Sequence, residues 1–246
     1  MGKVFIIAKK DVKEAFRSRT TYFYVLFLCF LSVGYFGSFS STISGLAEQG
    51  ATLSQIQLAG KSVMDGTVTT LPLVLTMLMC SILTAYSVAI DKAKRTMESL
   101  LATPLSLRQV WLGKSLAVAL PGVAIAILVS LLVFLTMNLA IAVPNVGSFI
   151  IPSVLSLVTG LVIIPAMAFV VVSLVSFLQL IMSNQRLANL AFIGIFFAVY
   201  FFSVTRLGSS WDFSLIYSIA TVFLATITLF LTRFLTKERV ILSSKG

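Results

Sequence analysis

The sequence predicts an all-α polytopic membrane protein with six transmembrane helices, and three observations carry that prediction. Hydrophobic residues make up 59% of the chain, above the roughly half that soluble domains carry. They gather into long runs at 21–42, 67–90, 115–140, 150–178, 187–205 and 213–232. Each run is near or above the ~20 residues that a helix needs to cross hydrocarbon. The ~10-residue alternating segments of a membrane β-barrel are missing from the pattern.

In chain order, residues 3–19 (KVFIIAKKDVKEAFRSR) read as an amphipathic helix. Phe5, Ala8, Val12, Ala15 and Phe16 recur at helical spacing, with Lys9, Lys10, Lys13 and Arg17 largely opposite. Such a helix lies in the headgroup plane as an interfacial elbow, its apolar side in lipid and its basic side toward anionic headgroups. Phe5, Val12, Phe16 and Arg17 are its expected anchors. The apolar run that follows is too long for a signal-peptide core and no small-x-small cleavage pattern follows it, so a retained helix is expected. Residues 43–66, rich in Ser, Gly, Gln and Ala, read as the one sizeable outer loop, a polar cap. Pro165 falls inside the fourth run and Pro121 near the start of the third. Prolines there kink helices, and Pro165 is a candidate hinge.

Topology follows from Lys and Arg. The N-terminal segment carries six of them, Lys3, Lys9, Lys10, Lys13, Arg17 and Arg19. The segment 91–114 adds Lys92, Lys94, Arg95, Arg108 and Lys114; Arg186 follows, and the tail adds Arg233, Lys237, Arg239 and Lys245. Six spans place all of these on one face and leave Lys61 and Arg206 on the other. The positive-inside rule then puts both termini and 91–114 in the cytoplasm of a multi-pass protein of the plasma membrane. This bias, with attraction to anionic lipid, accounts for the formal charge of +10. No soluble domain remains to present a basic groove, so nucleic acid is not an expected partner.

What the chain lacks narrows its function. It has no histidine, which removes the commonest general base and metal ligand. The central parts of the runs hold essentially no ionisable side chain, whereas ion-coupled carriers keep such groups at membrane depth. Gly113-Lys114-Ser115 has the ending of a phosphate-binding loop, but Arg108 occupies the place of its first glycine. No catalytic, metal or cofactor residues are therefore expected, and energy for transport would enter from outside the membrane part.

The segment 91–114, DKAKRTMESLLATPLSLRQVWLGK, is where it could enter. Asp91 and Arg95 are spaced i, i+4 in the favourable order, so the second helix is expected to run out of the bilayer to about Leu101. Thr103-Pro104 breaks it. Ser106 and Gln109 form a capping box for the next helix, with Leu105 and Val110 as its hydrophobic staple. The expected result is a helix–break–helix elbow whose apolar tip is ringed by charge, which more often marks a docking site than a solvated loop.

The run KRTMESLLATPLSLRQVWLGK resembles the signature of ABC-2 type transporter permeases, in Arg95, Thr96, Glu98, Leu100 to Ser106, Gly113 and Lys114. The basic elbow and the six-span count agree with that family over nearly the whole chain, so 1–246 is read as a single ABC-2 type transmembrane domain. The resemblance implies an export permease whose loop rests on a separate cytoplasmic ABC ATPase subunit, which would bind the ATP and Mg. It also implies a second permease subunit, identical or not. The expected coupling residues are Arg95, Glu98, Leu101, Thr103, Pro104, Leu105 and Arg108. The connection at 205–212 is too short for the re-entrant helices of some relatives, and no large soluble domain interrupts the outer loops. A non-transporting scaffold or sensor that recruits a cytoplasmic partner through the same elbow is the alternative.

Overall fold

In the computed structural model, residues 2–84, 106–182 and 210–234 are described, with single positions between 187 and 201. They form six helices: α1 (Gly2–Arg17), α2 (Arg19–Glu48), α3 (Leu53–Thr84), α4 (Leu107–Val146), α5 (Val154–Ile181) and α6 (Ser210–Leu231). Five stretches among the described residues, all but α1, are long and apolar enough to cross a bilayer. The protein is thus an all-α multi-pass membrane protein. The expected span at 187–205 falls largely outside the described residues.

Helices α3, α4 and α5 pack on one another and hold most of the core; α2 flanks α3, α6 flanks α5, and α1 lies on α4. Leu73, Leu75, Met79, Ala126, Met137, Met167, Val171 and Val175 are fully buried. The outward faces stay apolar, as in Phe30, Leu128, Ile219 and Phe223, because the surrounding solvent is hydrocarbon rather than water. At 40 residues, α4 is ~60 Å long at 1.5 Å per residue. That is about twice the hydrocarbon thickness, so its ends reach past the acyl chains.

One expectation is overturned. Residues 43–66 are not a loop: α2 continues to Glu48, and α3 begins at Leu53 after a turn through Gly50 at φ 72°. The hydroxyls of this Ser- and Gly-rich stretch find partners in the carbonyls of the preceding turn, as in Ser44 to Ser40 and Ser62 to Ala59.

Two helices carry a single wide π-turn, at Asn138–Ala142 in α4 and Thr159–Ile163 in α5. Each precedes a proline, Pro144 and Pro165 respectively. A proline ring clashes with the carbonyl four residues back and offers no N–H, and a wider turn gives it room. The irregularity expected at Pro165 is therefore a π-turn just before it. Two polar contacts fix the turn from α4 to α5. Buried Asn138 accepts from the Ile150 N–H (2.8 Å), and the Asp65 carboxylate accepts from the Ser153 N–H (2.6 Å) at the start of α5. A carboxylate suits that place, where the helix dipole is positive.

Candidate functional site

The first two turns of α4 are the end of the charged segment 91–114. Ser106 has extended backbone, and its Oγ accepts from the Gln109 N–H at 3.3 Å. The Gln109 side chain accepts in return from the Ser106 N–H at 3.1 Å. This is the capping box that the spacing predicts, and it satisfies two donors that a helix start leaves open. Leu105, the other half of the expected staple, lies outside the described residues, as do Arg95, Glu98, Leu101, Thr103 and Pro104. Arg108 is described, and it is exposed on the first turn of α4.

Within two turns of that cap, α4 is held on two sides. Trp111 is buried, and its indole N–H donates to the Ser173 carbonyl of α5 at 2.7 Å. Trp111 also packs with Phe177 and Leu180. Lys114 is fully buried, and its ammonium meets the Asp11 carboxylate of α1 at 3.1 Å. Gly113 lets the two helices close. A Cβ there would lie 3.0 Å from Ile7 Cβ and 3.3 Å from the Val4 carbonyl oxygen.

The face of α1 that packs on α4 is Ile7, Ala8, Asp11 and Ala15, at spacings of three and four residues. Of the expected anchors, Phe5 (65% exposed) and Arg17 point away from this contact, and Val12 and Phe16 are half-buried beside it. Lys9, Lys10 and Lys13 are exposed. Apolar Phe5 and Ile6 and the three lysines therefore lie on the outer side of a helix already docked to the bundle.

Sequence reasoning missed Asp11, and it noted Lys114 among the basic residues and in the Gly-Lys ending of its segment without giving it a counter-charge. A signal was available for both. Asp11 breaks an otherwise apolar stripe of α1, and Lys114 stands at the very start of the third apolar run, next to Trp111 and Leu112. A charge inside an apolar face needs a counter-charge.

Among the described residues no group of three His, Cys, Asp or Glu side chains could hold a metal ion. What the arrangement provides is mechanical: a capped helix start, clamped to α1 by an ion pair and to α5 by an indole hydrogen bond.

Fold and site together define a polytopic helical membrane protein with a charged segment between its second and third long helices. Residues 5–211 match the family of ABC-2 family transporter proteins, and the chain belongs to that family. No curated protein matches it. Its class is that of a transporter permease, a non-catalytic transport subunit of a kind that generally works with ATPase subunits and forms dimers.

Proposed function

We propose that this chain is the membrane subunit of an exporter, driven by a separate cytoplasmic ATPase that docks on the segment 91–114. In this reading Arg95, Glu98, Leu101, Thr103, Pro104, Leu105 and Arg108 form the docking surface. α1 lies along the cytoplasmic headgroups, with Phe5 in lipid and the lysines facing anionic phosphate. Both termini are cytoplasmic, and a sixth span completes the bundle at 187–205.

The observation that carries the reading is the double clamp at the start of α4. A loop on a loose helix end would absorb a push from its partner. Here the loop's exit is capped at Ser106 and tied by Trp111 to α5 and by Lys114 to α1 within two turns. A displacement of the loop is thereby delivered to helices that span the membrane. Rigid elements with fixed contacts are the physical means by which one site moves another.

The test is co-purification of the ATPase with variants of the loop. Leu101→Asp and Glu98→Arg are expected to insert normally and to lose the ATPase. Wild-type recovery of the ATPase with both variants, together with unchanged stimulated hydrolysis, would remove this surface from the account.

A further inference from the structure

Away from the clamp, toward the Asp65 end of the bundle, α3, α4 and α5 enclose a cavity of about 80 Å³. Val68 and Pro72 of α3, Leu131 and Phe134 of α4, and Leu157 and Leu161 of α5 line it. It lies where two helix irregularities meet. Pro72 has no N–H to offer the Val68 carbonyl, and Gly160, in the π-turn of α5, closes over that oxygen. A Cβ at Gly160 would lie 2.5 Å from it. The bare Cα of Gly160 lets the two backbones meet at this point, and the cavity lies beside that contact.

The cavity has nothing to hold water. Its two hydroxyl-bearing side chains are turned back onto their own helices, Thr67 to the Val63 carbonyl at 2.8 Å and Ser130 to the Ala126 carbonyl at 2.7 Å. The Val68 oxygen is covered by Gly160. A water needs two to four polar partners, and an apolar cavity of about 150 Å³ stays dry and takes up benzene instead. At about half that size, this one has room for a few methylenes and not for a ring.

Its open side is formed by Leu131 and Leu161, each 45% exposed, on helices long and apolar enough to lie in hydrocarbon. Leu157 and Leu161 are four and eight residues past Ser153, about 6–12 Å along the helix axis. That is the depth of the upper carbons of an acyl chain whose headgroup lies level with Asp65 and Ser153. We propose that this cavity seats one acyl chain of a bilayer phospholipid, inserted from the leaflet at the Asp65 end between the Pro72 and π-turn irregularities of α3 and α5. A chain seated there fills the space beside the close contact of Gly160 with Val68.

The experiment uses the full chain in vesicles of phosphatidylcholine and phosphatidylglycerol, with a small fraction of phosphatidylcholine carrying a diazirine in its acyl chain. After irradiation, adducts are mapped by peptide mass spectrometry. Wild-type adducts at 157–161 are expected to exceed those at Leu120 and Ile219, which are more exposed (56% and 68%). They should also saturate and be competed by unlabelled phospholipid. Ser130→Leu, which fills the cavity from α4, should lose most of them and leave Leu120 and Ile219 unchanged. Thr67→Leu does the same from α3, should the first variant misfold. Adducts that follow exposure alone, without saturation, overturn the proposal. So does a cavity that the label never reaches, as a second copy packed over this face would produce. The wild-type saturation arm decides even if neither variant folds.

Discussion

Lys114→Met is the most informative single change at the clamp. At 3.1 Å and an effective dielectric constant of about 20, the gross attraction of the pair is about 5 kcal/mol. Removing each ion from water costs several kcal/mol, so the pair as a whole contributes little. Breaking it differs. Taking away one partner of a buried pair costs up to about 3–5 kcal/mol, because the other charge stays buried with one favourable contact fewer. The apolar part of the α1 docking face is small: Ile7, Ala8 and Ala15 are buried, Val12 and Phe16 are half-buried beside them, and a fully buried isoleucine contributes about 1.5–3 kcal/mol.

The single variant should therefore release α1 from α4. The double variant Asp11→Leu/Lys114→Met, which replaces the pair by apolar groups, should leave it docked. Ala8→Cys reports the difference. Ala8 is buried under α1, so a water-soluble maleimide should label it slowly in the wild type and in the double variant, and quickly with Lys114→Met. Cys29 and Cys80 lie within long apolar helices, where a water-soluble reagent does not reach, and serve as controls. Equal labelling in all three backgrounds would refute the latch. So would a double variant as reactive as the single one.

Three further outcomes follow from the same contacts. Gly113→Leu drives a side chain into Ile7 and the Val4 carbonyl, and should raise Ala8→Cys labelling as Lys114→Met does. Gly160→Ala meets a backbone oxygen that cannot step aside; overpacking of this kind costs about 1–3 kcal/mol. It should lower the thermal midpoint in detergent, whereas Gly34→Ala, with nothing within 4 Å, should leave the midpoint level or raise it. Asp65→Ala removes a charged acceptor from the Ser153 N–H, worth about 1.5–3 kcal/mol. Asp65→Asn keeps an amide oxygen there and should recover part of the lost thermal stability.

The parts that were legible in the sequence are those whose causes are local. A span shows in any window because about twenty apolar residues in a row have one stable setting. Ser106 and Gln109 are three residues apart, so their reciprocal cap could be read from spacing alone. Residues 43–66 misled because Ser, Gly and Gln are the composition of a loop in water; here Ser44 and Ser62 turn back onto their own helices and the helices continue. Pro165 showed that α5 would be irregular, but not that a π-turn would absorb the irregularity. Asp11 and Lys114 are 103 residues apart, and no local pattern joins one of eight acids to one of eighteen basic residues. The approach of Gly160 to Val68 was hidden for the same reason: it depends on which helix packs beside which.

The central claim, that an ATPase rests on the 91–114 segment, is tested most directly by cross-linking from the segment itself. A photoreactive residue at Leu101 or Leu105, in the complex purified with its ATPase, should capture the ATPase on irradiation. The same residue at Leu58, 76% exposed toward the opposite end of α3, should capture none. Capture from Leu58, or none from either loop position in an intact complex, would contradict the account.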